Sequence, residues 1–205
     1  MGKKIAIYGA GTIGACQATL TSGNGYSTIV IGHSEEGLSR CRNTMLQNWN
    51  DLIAQKLATA ANRRAAMDLV TITNDVSALR DCDIVFEAVS EDVNIKQRVY
   101  SIITEVCGRD IIVASTTSSI DAAILAEKIE NPARFLIAHP FQPVHMLPLV
   151  EVVRHTETSE ETLHQVCTLL KDLNRQVVML NRSVPGFLVN RFAQALFRES
   201  IYLIE

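Results

Sequence analysis

The 205-residue sequence predicts an α/β fold, with a doubly wound, mostly parallel sheet, a helical insertion and a single C-terminal helix. Two observations predict this fold. Short apolar segments alternate with helical segments, which is the pattern of strands joined by helical crossovers. Several strands are apolar on consecutive residues, as in Ile84-Val85-Phe86, and this is typical of a sheet that is covered on both faces.

Runs of β-branched and aliphatic residues predict the strands. In chain order, they are residues 4–8, 27–31, 70–73, 83–89, 110–115, 134–138, 151–154 and 176–180. The predicted helices are residues 13–22, 35–69 with a break near 59–62, 93–106, 120–129, 159–173 and 186–205, with a helical turn at 75–81. Gly23-Asn24-Gly25 ends the first helix, Ser159 caps the fifth and Pro185 opens the last.

The domain organisation follows from the segment near Pro185. It is the only plausible boundary, and it divides the chain into a dinucleotide-binding domain at residues 1–184 and the first helix of a second domain at 185–205. A net charge of −3 gives no reason to expect a nucleic-acid partner. No apolar run has the roughly 18 residues of a membrane span. The five cysteines are scattered, which predicts neither disulfides nor a metal site, and we expect a cytoplasmic protein.

A glycine-rich turn, Gly9-Ala10-Gly11-Thr12-Ile13-Gly14, follows the first strand and opens the first helix. In that context G-x-G-x-x-G is typical of a Rossmann-type dinucleotide site. The first glycine permits the tight turn, the second lets the backbone approach a pyrophosphate, and the third allows close packing of helix on strand. The pyrophosphate would lie at the positive end of the helix. The sequence therefore predicts dinucleotide contacts from Gly9, Gly11, Thr12, Ile13 and Gly14.

The sequence leaves the choice between NAD and NADP open. A carboxylate for the ribose 2′-hydroxyl is expected about 20 residues on, where this chain has Gly32-His33-Ser34. Ser34 could hydrogen-bond a 2′-phosphate, and His33 or Arg40 could offer it positive charge. Glu35 and Glu36 favour NAD, because either could serve the 2′-hydroxyl. Alternatively, Gly32-His33-Ser34 is only a turn and a helix cap.

His139 and Glu151 are a candidate proton-transfer pair. His139 is expected just past the strand at 134–138, and Glu151 heads another apolar run twelve residues later. Histidine can take and return a proton near neutral pH, and a nearby carboxylate can fix its tautomer. The pair therefore has the equipment to move a proton to or from an alcohol.

Further motifs follow in order along the chain. They are D-I-V-F-E-A-V at 83–89, S-T-T-S-S at 115–119, A-H-P-F-Q-P at 138–143, P-L-V-E at 148–151 and P-G-F-L-V-N-R at 185–191. Together with the glycine turn they resemble the 3-hydroxyacyl-CoA dehydrogenase family. The His-Pro-Phe form is most similar to the branch that holds L-gulonate 3-dehydrogenase (lambda-crystallin) and carnitine dehydrogenase.

The resemblance implies roles for matched positions. His139 is similar to the family's catalytic base and Glu151 to the carboxylate that orients it. Ser118 resembles the serine that hydrogen-bonds the substrate oxygen, and Asn190 the asparagine near that oxygen. The stretch that lines the nicotinamide half of the cofactor is matched by Ala88, Glu91 and Lys96.

Two departures from the family pattern concern Thr116 and Gln142, because the family usually has asparagine at both positions. Either change could shift contacts with the cofactor, to which we assign Thr116, or the choice of substrate.

Two predicted site residues also have a purely structural alternative. Ser118 could only cap a helix that begins near Ile120, and Lys96 could be a solvated helix residue. We expect His145, His155 and His164 at the surface.

The predicted C-terminal helix is apolar over much of its circumference, so it is expected to be buried against something. The resemblance implies that a helical substrate domain follows here. Either the chain is truncated and its active site incomplete, or it forms a homodimer through this helix and completes the site from a second subunit.

Two functions are therefore weighed. One is an NAD(P)-dependent dehydrogenase of 3-hydroxyacyl-CoA or 3-hydroxy acids, small-molecule substrates whose acyl group the sequence does not reveal. The other is a non-catalytic or incomplete dinucleotide-binding protein.

Overall fold

The computed structural model describes residues 3–204 of the chain. One eight-stranded sheet forms the body of the structure. Its strands are β1 (Lys4–Tyr8), β2 (Ser27–Ile31), β3 (Val70–Thr73), β4 (Ile84–Glu87), β5 (Ile112–Ser115), β6 (Phe135–Pro140), β7 (Leu149–Arg154) and β8 (Gln176–Leu180). The helices are α1 (Thr12–Gly23), α2 (Glu35–Ala54), α3 (Ala60–Asp68), α4 (Val93–Cys107), α5 (Ala122–Ala126), α6 (Glu160–Asp172) and α7 (Val189–Tyr202). Short 3₁₀ turns lie at Val76–Leu79 and Pro132–Arg134.

The strand order is β3-β2-β1-β4-β5-β6-β7-β8. All neighbours are parallel except β6 and β7, which pair antiparallel. The predicted doubly wound, mostly parallel sheet is confirmed. The strand order reverses beside β1, which lies between β2 and β4, and in such sheets ligands bind at the carboxyl ends of the strands at this point.

Apolar side chains of the same strands cover both faces of the sheet. Ile5, Ile7 and Phe86 belong to the core on one face, whereas Ala6 and Val85 belong to the core on the other. Successive residues of a strand point to opposite faces. The consecutive apolar residues of the sequence are therefore explained by two packed helical layers.

The predicted helical insertion is α2 with α3, between β2 and β3. Helix α2 ends at Ala54, and α3 begins at Ala60 after a capping box formed by Thr59 and Asn62. The predicted break near 59–62 therefore lies a few residues too late, because Thr59 and Asn62 start the second helix instead of ending the first.

Three predicted boundaries near the candidate site are wrong. Strand β7 begins at Leu149 and not at Glu151, so Glu151 lies within the strand and does not head it. Strand β6 continues to Pro140, so His139 lies within the strand and not past it. Helix α7 begins at Val189 and not at Gly186. The chain turns first, with Phe187 at a φ of 49° and its amide bonded to the Val184 carbonyl.

The domain division at 184/185 stays a prediction, and its outermost residues Met1, Gly2 and Glu205 lie outside the described part. Among the helices of residues 3–204, none is long and apolar enough to cross a membrane.

Candidate active site

The glycine turn between β1 and α1 is packed too tightly for side chains at two of its positions. Gly9 has a φ of +130°, and a Cβ there would lie 2.3 Å from the Ala88 carbonyl oxygen. A Cβ on Gly14 would lie 1.8 Å from the Gly9 carbonyl oxygen. By contrast, a Cβ on Gly11 would meet no protein atom within 4 Å. The turn therefore leaves open backbone at Gly11, where a pyrophosphate is expected to approach.

A cleft of about 740 Å³ opens beside this turn at the switch point of the sheet. Its size lies within the ordinary range of cofactor sites. Among the predicted cofactor residues, it is lined by Gly9, Gly11, His33 and Ala88, and Arg40 also lines it. Residues that the sequence prediction did not name also line it, and they include Asn74, Ile95, Arg98 and Val99.

Not every predicted cofactor residue lines this cleft. Thr12 lines a different cavity of about 330 Å³ together with Gln142 and His145. Ile13 packs against the core. Gly14 is buried under the turn, and Ser34 caps α2 by accepting a hydrogen bond from the Gly37 amide. The amide of Thr116 donates to the Glu87 carbonyl, which holds the chain at the carboxyl end of β5 against β4.

Beneath the carboxyl ends of β4 and β5 lies a buried ionic cluster centred on Glu87. The Glu87 carboxylate accepts hydrogen bonds from Lys96 Nζ at 2.8 Å, Tyr100 at 2.8 Å and Ser115 at 2.7 Å. The Val89 amide adds a fourth at 2.8 Å. Burial and the neighbouring Glu87 carboxylate both raise the pKa of Tyr100. The carboxylate is therefore fully hydrogen-bonded, as a buried charge must be.

Lys96 extends the cluster to Glu91, with Nζ 3.3 Å from the second carboxylate. Its side chain is 1% exposed, so the alternative of a solvated helix residue is wrong. Glu91 also accepts from the Thr117 hydroxyl, and from the Ser118 amide at 3.0 Å. Partial burial raises the pKa of Glu91, but the Thr117 hydrogen bond, the Lys96 charge and the Ser118 amide outweigh it and lower the pKa.

His139 and Glu151 face each other across β6 and β7. They are register partners in the antiparallel ladder, and His139 Nδ1 lies 2.8 Å from Glu151 Oε2. Both side chains are almost completely buried. The rings of Phe141 and Phe187 lie 4.7 Å and 5.5 Å from the imidazole. This hydrogen bond uses Nδ1, so Nε2 is the ring nitrogen that remains for a substrate.

The second oxygen of Glu151 holds the start of α7. The amides of Leu188 and Val189 donate to Glu151 Oε1 at 2.9 and 2.8 Å. Asn190, one residue on, donates through its side-chain amide to the Ser118 carbonyl at 3.3 Å. The structure thus links all four predicted catalytic residues, His139, Glu151, Asn190 and Ser118.

Two findings differ from the sequence prediction. Asp121, and not Ser118, caps α5. His145 is not a free surface residue, since both of its ring nitrogens are buried without a hydrogen-bond partner among the described residues. Burial lowers its pKa.

The sequence prediction missed Glu87, although a signal was present. A single acid within an otherwise apolar strand is expected to have a buried partner.

Comparison with known proteins identifies this arrangement. The family model of the 3-hydroxyacyl-CoA dehydrogenase NAD-binding domain matches residues 4–183. The chain belongs to the 3-hydroxyacyl-CoA dehydrogenase family. The cofactor of its Rossmann-type domain is accordingly NAD(P), and the glycine turn with its adjoining cleft fits such a group.

Three members of the family illustrate the similarity. The chain is 30% identical to L-carnitine dehydrogenase of Bacillus cereus over 98% of its own length and 61% of the relative. It is 32% identical to 3-hydroxyadipyl-CoA dehydrogenase of Escherichia coli over 98% of its length and 42% of the relative. The crystal structure of FadB2 from M. tuberculosis superposes with a TM-score of 0.94 at 29% identity, covering 98% of this chain and 71% of that one. The chain therefore spans about three fifths or less of the two curated relatives.

Proposed function

We propose that this chain carries the cofactor-binding and acid–base groups of an NAD(P)-dependent dehydrogenase that acts on 3-hydroxyacyl-CoA or 3-hydroxy-acid substrates. The observation that supports it best is the buried 2.8 Å contact between His139 and Glu151. This pair lies two strands from β4, whose following loop lines the cofactor cleft. The two curated relatives are named as dehydrogenases of L-carnitine and of 3-hydroxyadipyl-CoA, which supports a substrate of this kind.

The proposed acid–base step uses the free nitrogen of His139. In the oxidising direction, Nε2 takes the proton of the substrate hydroxyl. Bound NAD(P) supplies the hydride chemistry, and the protein supplies position and charge. Glu151 accepts hydrogen bonds from the Leu188 and Val189 amides at the start of α7. Held in this way, it stabilises the imidazolium that forms and keeps the ring in one orientation.

Ser118 and Asn190 are proposed to hold the substrate oxygen. The Ser118 hydroxyl lies 3.4 Å from Glu91, which is a weak contact that a substrate oxygen can replace. The Asn190 side-chain amide donates a hydrogen bond to the Ser118 carbonyl, so the two residues are in direct contact. This contact also links the proposed substrate site to α7.

The alternative is that the site of this chain is incomplete and is completed by another protein surface. The exposure of α7 favours this alternative. Residues 191–200 are all exposed, including Phe192, Leu196 and Phe197. Exposed apolar patches of this kind mark association sites. We propose that a second copy covers α7 in a homodimer. Sedimentation equilibrium should then give a dimer at micromolar concentration, and a clean monomer would exclude it.

The proposed compartment is the cytoplasm. All five cysteines are free, and burial raises the pKa of Cys41 and Cys107 to about 11. Thiols with a raised pKa are poor nucleophiles, so these two cysteines are expected to serve packing and not reactivity.

The test is an absorbance assay at the nicotinamide band. The reducing direction uses NADH or NADPH with acetoacetyl-CoA, and the oxidising direction uses NAD⁺ or NADP⁺ with 3-hydroxybutyryl-CoA or free 3-hydroxybutyrate. His139→Ala should lower turnover by about 10²- to 10⁴-fold, the usual contribution of a general base. Binding of the reduced cofactor, followed by fluorescence, should be unchanged.

His164→Ala is the matched control, because this histidine is exposed on α6. Equal turnover of the His139→Ala variant and the unmodified chain would refute the assignment. Cofactor binding without any turnover would favour the non-catalytic alternative.

A further inference from the structure

We propose that the cofactor cleft contains a subsite for the 2′-phosphate of NADP(H), formed around Arg40, with Arg98 as a second basic residue in the lining. This inference rests on the proposed function, because it specifies the cofactor of the same site. It is carried by the charges that line the cleft and by the backbone at the end of β2.

The end of β2 has no side chain where a ribose-binding acid is expected. Gly32 occupies this position, and a Cβ there would lie 2.5 Å from Leu38 Cδ2 and 2.8 Å from Ala10 Cβ. Leu38 and Ala10 therefore occupy the space that the Cβ atom of an acidic side chain would need at this position. An enzyme that selects NAD uses that carboxylate to bond the 2′-hydroxyl and to repel a 2′-phosphate. Gly32 has no side chain, so it can neither bond the 2′-hydroxyl nor repel a 2′-phosphate.

The side chains that line the cleft are neutral or basic. Among them are Arg40 on α2, Arg98 on α4 and His33, and no aspartate or glutamate is present in the lining. A guanidinium binds phosphate oxygens with two parallel hydrogen bonds, so it suits a 2′-phosphate better than a 2′-hydroxyl. Arg40 belongs to α2 and Arg98 to α4, so guanidinium groups from two separate helices line the same cleft.

The two acids that favour NAD in the sequence already have partners. Glu36 forms an ion pair with Arg40, and Glu35 accepts a hydrogen bond from Asn74 at 3.0 Å. The pair between Glu36 and Arg40 is largely exposed, with side-chain exposures of 83% and 62%. Exposed pairs are weak and readily exchanged, so a phosphate dianion can take Arg40 from Glu36.

The first experiment compares fluorescence titrations of the purified chain with NADPH and NADH. NADPH should bind at least about tenfold more tightly, the effect of one hydrogen-bonded charge contact. Adenosine 2′,5′-bisphosphate should compete better than adenosine 5′-monophosphate, and the advantage should shrink as salt is added.

Two substitutions locate the subsite. Arg40→Ala should weaken NADPH binding by about tenfold or more and leave NADH binding unchanged, since only the phosphate contact is lost. His33→Asp should reverse the preference, because His33 lines the cleft beside Gly32 and an aspartate there brings a carboxylate to the ribose side.

Arg42→Ala is the matched control. Arg42 is an exposed arginine on the same helix that does not line the cleft.

The outcomes separate this inference from the proposed function. Tighter binding of NADH than NADPH, or an equal loss in Arg40→Ala and Arg42→Ala, would overturn the subsite and leave the dehydrogenase assignment standing. Binding of neither nucleotide would overturn both.

Discussion

Two regions of the sheet differ in how their functional groups are held. The cofactor half comprises strands β1 to β5 with their helices. The catalytic edge, named for the acid–base role that we propose for it, comprises strands β6 to β8 with α7. In the cofactor half, the glycine turn packs closely against Ala88, and the ion pair between Glu87 and Lys96 is fully buried. At the catalytic edge, His139 and Glu151 are just as buried, but Glu151 is bonded to a helix whose side chains are exposed over residues 191–200.

The difference indicates that the two halves should respond differently to perturbation. Few buried apolar contacts hold α7, and such elements open at low free-energy cost. Glu151 connects α7 to His139, so opening of α7 should disturb the acid–base pair while the cofactor cleft stays formed. Cofactor binding is therefore expected to tolerate the opening of α7, whereas turnover should depend on the protein surface that packs against α7.

The sharpest test of this comparison is Glu151→Gln. The amide keeps one acceptor oxygen for the two backbone amides near the start of α7, without the charge that strengthens those bonds. Toward His139 it can only donate through its NH₂ group, so Nδ1 must accept and the ring proton moves to Nε2. Turnover should fall by about 10²- to 10⁴-fold, as when the orienting partner of a catalytic histidine is lost. NAD(P)H binding should not change.

Hydrogen exchange should also become faster at the amides of Leu188 and Val189. Glu157→Gln, at an exposed loop position, is the control. Loss of cofactor binding in Glu151→Gln would contradict the separation of the two halves.

Next in expected size is Lys96→Met in the cofactor half. Removal of the cation leaves Glu87 as a buried charge with neutral partners only, which should cost about 3–5 kcal/mol of unfolding free energy. Urea unfolding measures it, with Lys128→Met at an exposed position for comparison.

Adding Glu87→Gln should recover part of the loss, since the unpaired charge is then removed. A change as small as that of the control would show that Lys96 does not stabilise the cluster.

Gly9→Ala and Gly11→Ala separate folding from binding within the cofactor half. The Gly9 variant combines a positive φ with a backbone clash at Ala88, so it should lose about 1–3 kcal/mol of stability as well as cofactor binding. The Gly11 variant meets no protein atom, and should weaken NAD(P)H binding with little change in stability. Thermal unfolding and fluorescence titration distinguish them. Equal stability of the two variants would argue against the close approach at Ala88.

The smallest expected effect concerns Glu91, between the two halves. Its pKa is lowered in the fold from an ordinary value of 4.5, so its stabilisation is complete above that pH and is lost as the pH falls through the lower folded value. Glu91→Gln should therefore flatten the stability curve below pH 4.5.

The change should stay under about 1 kcal/mol, because the side chain is 39% exposed. Urea unfolding at neutral and acidic pH measures it, with Glu105→Gln as the control, at an exposed position on α4, the helix that follows Glu91. An equal response of both variants would show that Glu91 is not specifically held.

How much of the site the sequence predicts depends on how far apart the interacting residues lie along the chain. The glycine turn was predictable because its requirements are local, set by backbone angles and one helix start. The links from Asn190 to Ser118 and from Glu87 to Lys96 were harder, because they join distant elements through contacts that no local pattern encodes. The surface prediction for His145 failed for this reason, since the neighbours that bury it lie elsewhere in the chain.

By itself, the sequence determined the strands and helices, the dinucleotide turn and the pairing of a histidine with a carboxylate. Hydrophobic periodicity and glycine geometry are short-range properties, so they can be inferred from neighbouring residues. Only the tertiary structure decided that β6 extends through His139, that Glu151 also holds α7, and that the cleft is lined by Arg40 and Arg98 without an acid. These features depend on strand register and on side chains brought together across the sheet, and packing alone fixes both.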